Sequence, residues 1–473
     1  MKAKPKWILL SLITACSQIS YSAESLDEFI NLHQEEYQQL ALKIWELAEV
    51  GYQENKSSAL LQESLSSKGF KVQTLPYMPT GFIAEYGTGS PVIAILGEFD
   101  ALPGVAQSSS PFKETFKNNT AGHACGHHLF GAGSAWSAVT VKEWLSKNNR
   151  TGTIRFYGTP AEEGGSGKVY MVREGLFDDV DVVLHWHPGS VNHASPRTSN
   201  ANKSAKFTFK GLSAHAASAP HRGRSALDGV ESMNYMVNMM REHIPQESRI
   251  HYVITKGGNA PNVIPDEAQV YYYVRHPKRE MVAQLFERVV KAAEGAAMGT
   301  GTSVSYEVMH GNFPLMPNDT LQRIMHDKLT NRGGIKYSSA ETEYAKEIHQ
   351  TFLNPTAKIG DQENILSYKS THGYGSTDVG DVSWLVPTGG VRIASWVPGT
   401  SAHSWQAVAS GGTTIGLKGT KLAVQVLSET AQEIYLDPNI ALRAKEELLI
   451  NVGEDFEYMP LLGDREPPLN YRD

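Results

Sequence analysis

The sequence predicts an α/β protein: a mainly parallel β-sheet domain interrupted by a smaller, inserted α+β domain. Three observations carry this. Several short apolar runs end abruptly in glycine, acid or histidine, as buried strands of a parallel sheet do. A middle stretch alternates polar and apolar residues between segments with helical spacing. The third is length, since 473 residues exceed what one small core can organise.

The elements follow in order. Lys2, Lys4 and Lys6 precede the apolar run Trp7 to Ala15, which is too short to span a bilayer and suits a secretory signal. Residues 1–22 read as that signal peptide. Ser20-Tyr21-Ser22 offers small residues for ordinary cleavage, while Ile13-Thr14-Ala15-Cys16 has the form of a lipobox that would leave Cys16 lipidated. Either way the expectation is an exported protein, periplasmic or secreted, whose membrane attachment would be a lipid at Cys16. Residues 26–50 carry Leu26, Phe29, Ile30, Tyr37, Leu40, Ile44 and Leu47 at helical spacing.

The candidate strands come next. Val92 to Leu96 ends in Gly97-Glu98-Phe99-Asp100, and Thr153 to Tyr157 ends in Gly158 and, shortly after, Glu162-Glu163. Val182 to Leu184 ends in His185-Trp186-His187-Pro188, and Val391 to Ala394 leads towards His403. Ligands of open α/β sheets bind at the carboxyl ends of strands, so these acids and histidines fall where a site is expected.

The middle of the chain, 201–312, reads as the inserted domain. Lys206 to Lys210 alternates like a strand with one wet face. Ser225 caps a helix bearing Leu227, Val230, Met233, Met236 and Met240 on one stripe. Strands at His251–Thr255 and Gln269–Val274 and a helix at Val282–Ala297 complete a strand-helix-strand-strand-helix order of ferredoxin-like type. The chain returns to the first domain near Phe313, so 23–200 and 313–473 belong together, with a late helix over 412–436.

Composition is that of a soluble globular protein, 41% hydrophobic and 20% charged. A net charge of −7 without long basic runs argues against nucleic acid as a partner.

Cys125 and Cys16 are the two cysteines. A chain cleaved after its signal peptide keeps Cys125 as a lone thiol, set in Gly122-His123-Ala124-Cys125-Gly126-His127-His128. Alone, it is equally consistent with a buried structural cysteine. Together with His127, Glu163, His185 and His403 it makes a set of one thiolate, three imidazoles and one carboxylate, which suits Zn²⁺ or another borderline ion such as Mn²⁺. Five donors exceed the needs of one tetrahedral ion. Two ions sharing a bridging group would use them all, and the Cys125 thiolate is the natural bridge. Adjacent acids at a strand end point to different sides, so Glu163 can bind metal while Glu162 moves a proton. By itself such a pair reads more simply as a solvated acidic turn. Gly164-Gly165-Ser166-Gly167-Lys168 resembles a phosphate loop but fails at Val169 and in its glycine spacing. The sequence contains no His-Glu-x-x-His, Gly-x-Ser-x-Gly or complete Rossmann pattern.

Taken with Gly97 to Gly104, Gly158 to Gly165, Gly211-Leu212-Ser213-Ala214-His215, Asn262-Val263-Ile264-Pro265, Ser376 to Asp381 and His403-Ser404-Trp405-Gln406, these motifs resemble the M20 family of metallopeptidases and amidohydrolases, in particular its aminobenzoyl-glutamate hydrolase branch. The resemblance spans residues 26 to 436. It implies two divalent ions per subunit, Zn or Mn, held by Cys125, His127, Glu163, His185 and His403. It implies Glu162 as general base towards a metal-activated water, and an inserted domain that forms a homodimer interface and lid. His215 is then the lid histidine that reaches the partner's site, and Asn262 and Arg275 hold substrate. Arg275 suits a carboxylate clamp, and equally a salt-bridged strand arginine.

The sequence departs from the family pattern in places. His128 stands where the wider amidohydrolase branch has Asp, and Glu98-Phe99-Asp100 stands where many members have a His-x-Asp pair. Those two acids are expected to support the site; His123, His128 and His187 are expected to support it or to be structural, not to ligate metal, and Asp378 and Asp381 to orient His403 or cap a turn. The expected reaction is hydrolysis of the amide of a small N-acyl amino acid such as p-aminobenzoyl-glutamate. The alternatives are an exported dipeptidase or carboxypeptidase, and an assembly with a paralogous subunit in place of a homodimer. A non-catalytic binding protein has no need of Glu162 beside a complete ligand set.

Overall fold

Strand pairing in the larger sheet follows the apolar runs. In the computed structural model, which describes residues 25–114 and 120–472, the order is Lys71–Leu75, Met78–Thr88, Gly152–Gly158, Val92–Gly97, Val182–Gly189 and Thr388–Ala394. The expected signal peptide, its cleavage sites and Cys16 lie outside the described residues. The last four strands are parallel to one another and correspond to the runs that end in glycine, acid or histidine. Their side chains are almost wholly buried, which is why the sequence reads as continuous apolar stretches. The antiparallel Lys71–Leu75 and Met78–Thr88 pair closes one edge. Lys71–Leu75 is mostly exposed, so its polar sequence gives no strand signal.

Helices cover this sheet. Leu26–Leu47 starts with a capping box between Ser25 and Glu28 and buries Leu26, Phe29, Ile30, Tyr37, Leu40 and Ile44. His127–Lys147 is buried nearly all round between the sheet, Leu26–Leu47 and Thr414–Leu436, so it shows no amphipathic period. The late helix runs Thr414–Leu436, and a short helix, Trp405–Gly411, precedes it. They break at Gly412, and the Thr413 hydroxyl accepts from the Ile415 amide to cap the second. Among the described residues no helix is long and apolar enough to cross a membrane.

The second sheet has the order Arg249–Lys256, Glu267–His276, Ala201–Lys210, Ser303–Asn312, with every neighbour antiparallel. Helices Ala226–Met240 and Arg279–Thr300 pack against it. Glu267–His276 alternates strictly, sending Ala268, Val270, Tyr272 and Val274 into this second core. Ser225 caps the first helix by accepting from the Asp228 amide at 3.1 Å. Met236, expected on the buried stripe, is instead 41% exposed, beside exposed Tyr235 and Met239. The edge strand Arg249–Lys256 exposes Tyr252, Val253 and Ile254. The Tyr252 hydroxyl accepts from the Asn238 amide of the helix, so the two exposed sets adjoin.

The C-terminal segment ties the two sheets together. Tyr458 donates to Asp381, Leu462 packs with Val169 and Tyr170, and Arg465 pairs with Glu307.

Candidate metal centre

The chemistry-bearing residues converge at the carboxyl ends of the parallel strands. Cys125 lies on the turn into His127–Lys147. Gly126 makes that turn possible, because its φ is +77° and a Cβ there would lie 2.7 Å from the Pro188 Cβ. This close approach brings Cys125 against the end of Val182–Gly189.

Two donor groups share Cys125. One is Cys125, His127 and His187; the other is Cys125, Glu163 and His403. The Cys125 Sγ lies 3.6 Å from His187 Nε2, and His403 Nε2 lies 3.2 Å from Glu163 Oε1. Hydrogen bonds to Cys125, then to Glu163, hold the His403 pKa up at about 11. A third group joins Glu98, His127 and Glu162.

The expected role of His185 is corrected. His185 and His187 share one face of their strand, two residues apart, and His187 is the one that meets Cys125. The His185 ring leans across the sheet over its register partner Gly390, where a Cβ would come within 2.3 Å of its Nε2. Two residues of strand span about 6.6 Å, enough to take His185 out of reach.

The supporting contacts are specific. His127 donates from Nδ1 to Asp100 Oδ1 at 2.8 Å, and its Nε2 faces Glu98 Oε2 at 3.0 Å. The other Asp100 oxygen accepts from the Glu163 amide at 2.8 Å. Lys168 is fully buried and reaches Glu98 and Asp378, each at 2.7 Å. The segment that resembles a phosphate loop therefore supplies the counter-charge of the site, a role its sequence does not signal. Asp378 and Asp381 do not orient His403: Asp378 binds Lys168, and Asp381 accepts from the Phe313 amide and the Tyr458 hydroxyl. His123 and His128 are buried and donate to the carbonyls of Ile44 and Gly411, tying helices together.

Electrostatics mark this as a place that wants cations. Burial, then Glu98 and Glu163, hold Glu162 well above the ordinary carboxylate range. Glu98 is also raised by burial. Asp100 stays low despite burial because His127 and its hydrogen bond favour the anion. His127 Nε2, Glu98 Oε2 and Glu163 Oε1 are buried and make no well-formed hydrogen bond, although His127 faces Glu98 and His403 faces Glu163. Orphaned donors of this type beside a thiol fit divalent borderline ions, which supply the missing partners.

Other expected residues lie further out. Arg275 stacks over Tyr273 at 5.2 Å, and its Nε is buried without a partner. Burial pulls it below its ordinary value, opposed by nearby Tyr273 and Glu162. Among the described residues it forms no ion pair, so it is not a salt-bridged strand arginine. His215 is exposed on the inserted domain, its Nδ1 accepting from the amides of Ala217 and Ser218 at 3.2 Å each. Asn262 is exposed beside it, its carbonyl accepting from Ala216. Among the described contacts neither touches the Cys125 cluster of its own chain. Sequence reasoning missed the C-terminal end altogether: Tyr471 and Arg472 both donate to the Glu163 carbonyl.

The profile of the M20 peptidase dimerisation domain matches residues 198–300. The chain is 39% identical over 452 residues to a p-aminobenzoyl-glutamate hydrolase subunit of Escherichia coli, covering 89% of this chain and 94% of that protein. It is 27% identical over 450 residues to the Xaa-Arg dipeptidase of Mus musculus, covering 92% and 93%. The fold matches an aminobenzoyl-glutamate utilization protein from Klebsiella pneumoniae, with a TM-score of 0.60, 17% identity and 87% and 98% coverage. It also matches a dinuclear metal-binding peptidase of the M20 family from Bacillus subtilis, with a TM-score of 0.54, 19% identity and 84% and 99% coverage.

Proposed function

From the premise that this chain belongs to the M20 family of metallopeptidases and amidohydrolases, and is a hydrolase of carbon–nitrogen amide bonds, we propose that it cleaves an N-acyl amino acid, with p-aminobenzoyl-glutamate the leading candidate. The observation that carries the reading is the pair of donor groups meeting at Cys125, with Glu162 beside them. Cys125, His127 and His187 would hold one divalent ion and Cys125, Glu163 and His403 the other, zinc or manganese. Such ions, when bound, polarise an amide carbonyl and make water acidic enough to attack at neutral pH.

The chain's own residues do the rest. Asp100 fixes the His127 ring through Nδ1 and leaves Nε2 as the donor. Glu162 takes a proton from the attacking water and delivers it to the leaving amine nitrogen. Arg275, near Glu162 and unpaired, holds the carboxylate beside the scissile amide. His215 and Asn262 lie away from their own cluster, so they act in the site of a partner subunit, His215 on the oxyanion. The exposed apolar edge of Tyr252, Val253 and Ile254 supports a homodimer through the inserted domain. Residues 1–22 would export the chain, with a lipid at Cys16 if the lipobox is used.

The export signal and the dipeptidase likeness favour a second reading, an exported dipeptidase or carboxypeptidase. The test is release of p-aminobenzoate from p-aminobenzoyl-glutamate by the zinc- or manganese-loaded protein. Release supports the first reading. Turnover of dipeptides without p-aminobenzoate release supports the second.

A further inference from the structure

A cavity behind His187 holds charges that the metal centre does not use. It is lined by His187, His193, Arg197 and Arg392, with an apolar wall that includes Leu315 and Met316. His187 is common to the cavity and the centre, with Nε2 3.6 Å from the Cys125 Sγ. Arg392 lies on the parallel strand next to that of His187, in direct register with it. His193 pairs with Arg392 through the backbone in both directions.

Among the described residues, no hydrogen bond or ion pair reaches the guanidinium of Arg197 or Arg392. Both side chains are partly buried. Burial and the like charge of Arg197 pull Arg392 down to about 10, and the acidic groups it feels are Cys125 and Glu98 of the centre itself. Burial and both arginines push His193 down to about 4, so it is neutral there. Arginines withdrawn from solvent are stabilised by an anionic partner, and the more so the deeper they lie. Two that face one cavity without an acid form a site for an anion, and guanidinium matches carboxylate bidentately.

We propose that Arg197 and Arg392 form a carboxylate subsite, which holds a second acidic group of the substrate while its amide lies at the Cys125 centre. This rests on the reading of the chain as an N-acyl amino acid hydrolase. The acidic group is the side chain of the released amino acid or an acid on the acyl group; the apolar wall accommodates the methylenes of either.

Binding is measured by calorimetry on the metal-loaded, full-length Glu162→Gln protein, whose turnover is expected to be slower by about 10²–10⁴-fold. It should bind p-aminobenzoyl-glutamate more tightly than p-aminobenzoyl-glutamine by about 10- to 100-fold, the range of charge-assisted hydrogen bonds. Adding Arg392→Gln or Arg197→Gln should collapse that ratio towards one, and Arg392→Lys should restore part of it. If the ratio that collapses is instead that of N-succinyl- over N-butyryl-alanine, the subsite serves the acyl group. Ratios unchanged in both arginine variants overturn the subsite. Glutarate alone separates this from the proposed reaction. Arg392-dependent glutarate binding without hydrolysis of any N-acyl amino acid would overturn the reaction and support the anion site. Equal glutarate binding in all variants would overturn the site.

Discussion

Replacing Lys168 by Met should destabilise the larger domain and do so in a pH-dependent way. Lys168 is fully buried and contacts Glu98 and Asp378 at 2.7 Å each. At that distance each pair has a gross Coulomb attraction of about 6 kcal/mol for an effective dielectric constant of about 20. Desolvation offsets much of this, but Met keeps the stem and removes only the charge, stranding two buried carboxylates. Removing one partner of such a network costs about 3–5 kcal/mol. With about 340 residues outside the inserted domain and about 2.1 cal/mol/K per residue, that becomes a fall in Tm of about 4–7 °C. Burial already holds Glu98 and Asp378 above the ordinary range, and Lys168 opposes it. Without Lys168 both rise further, so protonation relieves the variant as pH falls and the deficit shrinks from pH 8 to pH 5.5. The assay is scanning calorimetry of both metal-loaded proteins at the two pH values. A deficit under about 1 °C at pH 8, or one that grows on acidification, would refute the reasoning.

Three further outcomes are expected. His187→Ala should lose about one metal equivalent by elemental analysis while His185→Ala keeps both; the reverse would restore His185 to the centre. Glu162→Gln should lower kcat by about 10²–10⁴-fold with metal content unchanged, and loss of metal with activity would show that the carboxylate roles are exchanged. Burial lifts Asp381 to about 7, so its protonated form is favoured in the folded state. Its contribution is therefore complete below about pH 4 and lost as pH rises through about 7, by a few kcal/mol at most. Asp381→Asn should flatten the Tm–pH curve between pH 4 and 8, and a slope equal to that of the unsubstituted protein would remove Asp381 as its source.

The parallel strands were legible because each is buried on both faces and ends where polar residues begin. Glu267–His276 was legible for the opposite reason, one face buried and one wet. The Lys71–Leu75 edge strand and the strand Ser303–Asn312 escaped because much of each is exposed, and pairing in such strands is set by neighbours rather than by their own pattern. Met236 escaped because helical spacing shows which residues share a stripe but not how far the packed face extends.

What the sequence by itself determined is local: which residue types stand at the strand ends, that a lone thiol sits among histidines, and that two acids are adjacent where a strand stops. Covalent order and periodicity are enough for that. The tertiary structure alone decided that His187 and not His185 faces Cys125, since both share one face of the same strand. It alone placed Lys168 between Glu98 and Asp378, Tyr471 and Arg472 on the Glu163 carbonyl, and Arg392 with Arg197 around one cavity. These contacts join residues 70 to more than 300 positions apart. Charge pairing depends on distance in space, which no spacing along the chain records.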